Sequence, residues 1–446
     1  MKQDHNRLSR RQFLAGLAVV AGTSTLAACV APAPGAAPAE GTGAGSAAAG
    51  SEAQLLSFMN WDEVAGSPFE VALNAFTDKT GIQVDLQPTP SQDYGTKLRT
   101  MLAGATAPDV FRVDDDDVRG FSLEGQFLDL QPFVEKAGMD LTNYYASIFD
   151  FPLQPEGDRT AWSIGNQPRV FFWNIDLFDA AGVPHPPTTW TKDGWNWDDF
   201  LAAAKALTIP DQQWGALISD NTGYEQTFLV TGGVPDGRFS FDGLEFTMAS
   251  PKGIEIVQWV ADLTCVHGVQ PEWSVLQRSG AGDQLFVAGQ LAMTFRAFGS
   301  TPYFQNNITD FAWDIAPVPG REDQQTEGSL IVFAVPKSTA NADLAWELLN
   351  FMIAEEGGTI FAQTSAFVPA HKAAADKIEA NGKPPEHIKL FLEAADHSTH
   401  VNFSSYTSRA RSVYRPLMDL VWTCQDTAEN VLSGVKAEVE TVLAGN

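Results

Sequence analysis

The sequence predicts an α/β chain of two lobes, each lobe a mostly parallel sheet flanked by helices. Three observations predict it. Strand-type apolar runs alternate with amphipathic helical stretches along most of the chain. The chain has 446 residues, and one hydrophobic core rarely grows past roughly 250–300 residues. Apolar residues make up 44% and charged residues 19%, which is ordinary globular usage and excludes wholesale disorder.

The elements follow in order. Residues 54–59 form a short strand. Residues 68–80 form a helix with Phe69, Ala72, Leu73 and Phe76 at helical spacing, and Gly81 stops it. Residues 82–87 alternate as a strand, 94–103 form a second amphipathic helix, and 108–113 form a strand that runs into Asp114–Asp117. Strand, helix, strand, helix, strand in sixty residues predicts a parallel sheet with crossover helices. Further strands are expected at 169–173, 291–296 and 330–335. Helices are expected at 198–207, 251–267, 282–288 and 341–354, and two more fill most of 409–443. No fixed-period repeat is visible.

The first residues read as an address rather than as structure. Arg7, Arg10 and Arg11 precede a short apolar run from Phe13 to Ala21, and small residues follow up to Cys29. Residues 1–28 are therefore expected to be an export signal. The run Ser9 to Leu14 is similar to the twin-arginine signal, with Ala15 where that signal carries a lysine, so the general secretory route stays open. Leu26-Ala27-Ala28-Cys29 resembles the bacterial lipobox, which implies lipid on Cys29 after cleavage. Residues 29–53 are dominated by Ala, Gly, Pro, Ser and Thr and are expected to be a flexible tether.

Charge excludes some partners. The chain carries 28 basic and 55 acidic residues, a net of −27; removing four basic residues and one acidic residue with the signal leaves 24 against 54, a net of −30. A nucleic acid partner needs a basic face to neutralise phosphates. Three cysteines cannot build a four-thiolate zinc site. Cys265 and Cys424 either pair in an oxidising compartment or remain free buried thiols.

A chain of motifs resembles the carbohydrate-binding family of extracellular solute-binding proteins from bacterial ABC importers. Phe76-Thr77-Asp78-Lys79-Thr80-Gly81-Ile82-Gln83-Val84 is similar to the family's first helix and second strand. Lys97-Leu98, Met101 to Gly104 and Ala107-Pro108-Asp109-Val110 are similar to the next helix and strand. Trp173 to Phe178, Ala181-Gly182 and Pro186 to Trp190 resemble its most distinctive stretch. Gly289 to Met293, with Gln290 in place of the usual lysine, Ala316 to Gly320 and Ala345-Trp346-Glu347 continue in order. The resemblance implies a periplasmic-binding-protein-like fold of type II. It implies lobes at 54–166 plus 330–380 and at 167–329 plus 381–446. Crossings are expected near Asn166–Arg169, Gly328–Leu330 and Asp376–Pro384. It also implies capture of a sugar between the lobes and delivery to a membrane permease, with no cofactor, no metal and no catalysis. A monomer is expected.

Candidate ligand contacts follow from sugar chemistry. A ring suits the C–H face of a sugar, and carboxylates and amides suit its hydroxyls. Trp61, Trp162, Trp273, Phe403 and Tyr406 lie at loop or element ends, where a ring either meets ligand or caps a lobe. Trp259, Trp313, Trp346 and Trp422 sit inside elements and are expected in cores. In the acid run, Asp115 and Asp116 are expected to face the cleft, the rest being a solvated loop or a helix cap. A calcium loop lacks its glycine at position 6 and its glutamate at position 12. Asn166 and Gln167 sit at the first crossing, and Ser329 at the second. Arg296 follows the Ala-Met strand. The family's glycine-x-tryptophan is absent after it, and its stacking role is assigned to Phe298. Arg409 either contacts ligand or pairs with surface acids.

Two alternatives stay open. The same fold can bind a polyamine, through Asp114–Asp117, or a polyol phosphate. A secreted glycoside hydrolase needs two flanking carboxylates, which composition does not exclude. The sequence holds no Gly-x-Ser-x-Gly elbow and no His-Glu-x-x-His helix.

Overall fold

A computed structural model describes residues 54–61, 66–154, 157–191, 194–218, 225–240, 243–278, 280–399 and 406–445. The export signal, Cys29 and the tether lie outside these residues, as does Phe403. Strands β1 (Leu55–Trp61), β2 (Gln83–Thr89) and β3 (Val110–Val113) pair in parallel, with β1 between the other two. Helices α1 (Pro68–Thr80) and α2 (Ser91–Ala103) make the crossovers. The local sequence explains α1. The Ser67 hydroxyl accepts the Glu70 N–H at 3.2 Å, Pro68 occupies the first turn, and Gly81 ends the helix at φ 81°. Its buried face is the predicted one, Phe69, Ala72, Leu73 and Phe76, and each large apolar side chain there contributes about 1.5–3 kcal/mol of burial.

Strand β4 (Trp162–Asn174) is the longest, and it serves two sheets. Its first half, Trp162–Pro168, pairs antiparallel with β7 (Thr326–Ala334); its second half pairs antiparallel with β5 (Met293–Ala297) and β6 (Trp313–Ala316). Pro168 has no N–H to donate, and it stands where β4 changes partners. The expectation of mostly parallel sheets therefore holds for β2, β1 and β3, and a short parallel pairing joins the start of β7 to Ser398–Thr399. Strand β7 runs antiparallel to both β3 and β4. The named strands on the second half of β4 are antiparallel too, and parallel pairing survives there as single bridges such as Leu217 to Thr294.

The interior divides into two hydrophobic clusters. The first gathers β1, β3, the first half of β4, β7 and helix α5 (Ala342–Ile353) around Phe58, Phe111, Trp162 and Phe333. The second gathers the far half of β4 with β5 and β6. Four helices complete it: α3 (Trp197–Ala206), α4 (Pro251–Cys265), α6 (Thr407–Trp422) and α7 (Ala428–Leu443). Phe367 and Ala370 belong to the first cluster, Ala375 and Ile378 to the second. Cys265 at the end of α4 is disulfide-bonded to Cys424, with Cα atoms 5.7 Å apart, so the paired alternative is the one observed. No helix among the described residues is long and apolar enough to cross a membrane.

Candidate functional site

The carboxyl end of the parallel strands is where an open α/β sheet binds ligand. Strand β1 ends at Trp61 and β3 ends in the turn Asp115–Asp117. The two ends are tied by one arrangement. The Arg112 guanidinium lies 3.8 Å from the Trp61 ring centroid. Tyr94 on α2 meets Trp61 edge-on at 5.1 Å and donates its hydroxyl to the Arg112 carbonyl at 2.8 Å. Burial pushes the Tyr94 phenol well above its usual range, so it remains a donor at any physiological pH. The Asp115 carboxylate accepts the Leu330 N–H at 3.1 Å, and Arg99 donates to both Asp117 oxygens at 2.8 Å.

Three cavities follow this line. The largest, about 720 Å³, lies between the two clusters. Ser67, Arg112 and Ser365 line it from the first, Gly299 and Asn306 from the second, and Gln167 of β4 between them. The second, about 440 Å³, runs from Arg99 and Asp117 across to Tyr406, Ser408 and Arg409 of the second side. The third, about 220 Å³, lies under Trp61, Tyr94 and Asp114. Asp117 borders the second and third, and the stacked pair Arg112–Trp61 joins the third to the first. The first and second lie between the clusters and are taken together as one groove, lined in part by Gln167 of β4 and Ile331 of β7; the third adjoins it on the first cluster's side.

The structure brings Trp61, Gln167, Tyr406 and Arg409 to this groove or its border; Asp115, between Asp114 and Asp117, lines none of the three cavities and accepts the Leu330 N–H instead. Gln167 donates Nε2 to the Ala366 carbonyl at 2.8 Å, and the Arg409 guanidinium lies 5.6 Å from the Tyr406 ring centroid. Asp116 belongs to the turn after β3; its side chain lies outside the described ones. Ser329 is half-buried at the crossing, where its hydroxyl accepts from Arg169 at 3.3 Å. Asn166 is fully buried beside Gly328, and neither of its amide atoms has a hydrogen-bond partner among the described residues.

Four expected contacts are corrected. Trp162 has no exposed surface; it donates Nε1 to the Leu349 carbonyl at 3.1 Å and meets Phe149 and Trp346 edge-on in the first core. Trp273 donates Nε1 to Asp419 at 2.9 Å and packs beside Trp422 in the second core. Phe298 is fully buried against Phe391, ring centroids 4.2 Å apart, so the cavity wall after β5 is made by Gly299, Pro302 and Asn306 rather than by an aromatic ring. Arg296 is 4% exposed and engages Asp283 at 2.5 Å and the Phe295 carbonyl at 2.8 Å. Arg112 and Tyr94 were not anticipated. The signal for Arg112 was available: it is the one charged residue in the apolar strand Val110-Phe111-Arg112-Val113.

Two α/β halves around a groove, with shared strands running through it, define a binding protein of the two-lobed class. The profile of the bacterial extracellular solute-binding protein family matches residues 60–359, and the chain belongs to that family. It is thus an extracytoplasmic solute-binding protein. Among curated relatives, the erythritol/L-threitol-binding protein of Mycolicibacterium smegmatis is 27% identical over 297 residues, 57% of this chain. The match spans 58% of that relative, less than two thirds of its length. Among solved structures, an ABC substrate-binding protein of Listeria monocytogenes in complex with cycloalternan superposes with a TM-score of 0.78 at 22% identity, over 88% of this chain and 100% of the other. UgpB of Mycobacterium tuberculosis in complex with glycerophosphocholine gives 0.75 at 16% identity, over 88% and 99%. These two structures establish the fold.

Proposed function

We propose that the chain is the solute-capturing subunit of an ABC importer for a sugar or short oligosaccharide. Its two lobes close on the solute and the closed form docks on a membrane permease; the chain performs no chemistry. The observation that carries this reading is the groove between the two cores. It offers hydrogen-bonding side chains from both walls, and β4 and β7 run through it as the flexing elements. The lobes are 54–166 plus 330–380 and 167–329 plus 381–446, with a last boundary nearer 370 supported by Ala375 and Ile378 packing in the second cluster. Residues 1–28 are the export signal, Cys29 carries the lipid anchor and residues up to 53 are the tether; the lipobox supports this part. The solutes named for the relatives, a tetritol and a cyclic oligosaccharide, are hydroxyl-rich.

A phosphorylated polyol is the second reading, favoured by Arg99, Arg112 and Arg409 along the groove. Thermal melts with maltose, erythritol, sn-glycerol 3-phosphate and spermidine separate the classes. A tight ligand at 100–1,000 times Kd raises stability by roughly 3–4 kcal/mol. Incubation with malto-oligosaccharides should release no new reducing ends. Release of such ends, or a shift with spermidine alone, would sink the sugar reading.

A further inference from the structure

Beyond the groove, the second lobe buries a set of charges that the binding site as described does not use. Glu225, Arg238 and Glu327 are 4%, 3% and 7% exposed, and Tyr414 is fully buried. Arg238 Nη2 stands 3.6 Å from one Glu327 oxygen. Burial and the neighbouring Arg411 would lower the Arg238 pKa, but Glu327, with Tyr414 and Glu225, holds it above its ordinary value. Backbone contacts fix the frame: Glu327 N–H donates to the Thr227 hydroxyl at 2.8 Å, and Arg238 N–H to the Gln226 side chain at 2.9 Å.

The frame is not closed. The second oxygens of Glu225 and Glu327, the Arg238 Nε and the Tyr414 hydroxyl are buried and have no hydrogen-bond partner among the described residues. A buried polar atom left unmatched costs free energy, and several around one point call for a polar occupant. Their place says which occupant. Glu327 directly precedes Gly328 and Ser329 of β7, at the crossing. The helix Glu225–Thr231 packs on one side of β7, and the turn Asp115–Asp117 touches both β7 and α6. Tyr406 at the start of α6 and Ser408 and Arg409 on it already line the groove, and Tyr414 follows further along the same helix.

We infer that Glu225 and Glu327 are the inner polar end of the solute site, each turning an unmatched carboxylate oxygen to accept a hydroxyl of the bound solute, with Arg238 as the positioning residue of Glu327. This rests on the solute-binding reading above and adds contacts to it. A carboxylate pair set in a fixed frame accepts two neighbouring hydroxyls without reorganising, and the guanidinium groups of Arg238 and Arg411 beside it balance its charge.

The test is a crystal structure of the full chain grown with erythritol, together with thermal melts of wild type and Glu225→Gln with erythritol and with maltose. The expected result is a chamber continuous with the groove, in which solute or ordered water bonds both carboxylates. Glu225→Gln should melt without solute at or above the wild-type temperature and lose roughly ten- to hundredfold in affinity for whichever probe binds, the effect of one hydrogen bond to a charged group. The inference is overturned if protein donors seal both carboxylates with no chamber between them, or if Glu225→Gln binds a probe as the wild type does. In the latter case the solute-binding reading stands, because the probe still binds. If neither probe binds, the crystal structure alone decides.

Discussion

The Arg112 guanidinium stacks on Trp61 at 3.8 Å and so links the ends of β1 and β3 at the mouth of the groove. The ring is half-buried, with Tyr94 at its edge. Truncating the ring removes a groove wall but little of the core. Trp61→Ala should weaken solute binding about tenfold or more, while the melting temperature without solute changes little. Arg112→Ala should lose a smaller part, because a cation–π contact is worth about 0.5–2 kcal/mol. Isothermal titration with a solute that raises the melting temperature checks both. Unchanged affinity in Trp61→Ala would remove this ring from the site.

Trp273 makes the opposite prediction. It is 8% exposed, is held by Asp419 and belongs to the second core. Trp273→Ala should cost about 3–5 kcal/mol of stability, read by urea unfolding, while the folded fraction keeps wild-type affinity.

The contrast between these two rings shows what the sequence carried. Helix α1 was legible in full, because its cap, its apolar face and its glycine stop are local. Trp61 was legible because β1 ends on it. Trp162, Trp273 and Phe298 were not, since which face of an element a ring takes depends on partners far along the chain. A one-residue change of register turns a strand side chain to the other face, and Trp162 meets Leu349, nearly two hundred residues away. The length of β4 was also hidden: Gly165 and Pro168 interrupt its strand pattern. Gly165 is needed because a Cβ there would fall 2.1 Å from the Phe367 ring.

The Cys265–Cys424 bond joins residues 159 apart and staples α4 to the turn between α6 and α7. Loop-closure entropy predicts a large effect for so long a loop, and removal of native disulfides typically costs 2–5 kcal/mol. The double substitution to serine should lower the urea midpoint, and reductant should lower the wild-type midpoint to the same value. Equal midpoints for wild type with and without reductant would show that the bond adds no stability.

Asp109 predicts an acid limb in stability. Burial works against its carboxylate, but hydrogen bonds from the Ser57 N–H and hydroxyl, the Thr339 hydroxyl and the Asn341 amide outweigh that and hold its pKa below the ordinary value. A carboxyl with a depressed folded pKa adds stability that is fully present above its unfolded value, about 3.9, and is lost as pH falls through the folded value. Asp109→Asn should therefore flatten the fall of melting temperature below about pH 4 relative to wild type. Parallel curves for the two proteins would contradict this.

The crossing itself can be probed at Gly328. A Cβ on this residue would fall 2.4 Å from Asn166 Oδ1 and 2.8 Å from Nδ2, and Asn166 is fully buried between paired strands. Because Asn166 is fully buried, its amide reorients against packed neighbours or β7 shifts from β4 when Gly328→Ala adds a methyl group where the lobes join. We expect a loss of about 1–3 kcal/mol, the usual cost of overpacking. Asn166→Ala alone should be near neutral, because it deletes an amide that has no hydrogen-bond partner among the described residues. In the double variant the space left by Asn166 should recover most of the loss, which a double-mutant cycle in urea measures directly. X-ray scattering on the same set should show that Gly328→Ala changes the compaction caused by solute, and that the double variant restores it. A Gly328→Ala protein as stable and as compact as wild type would mean that the two strands give way freely here, and that the crossing is not the stiff element that sets lobe closure.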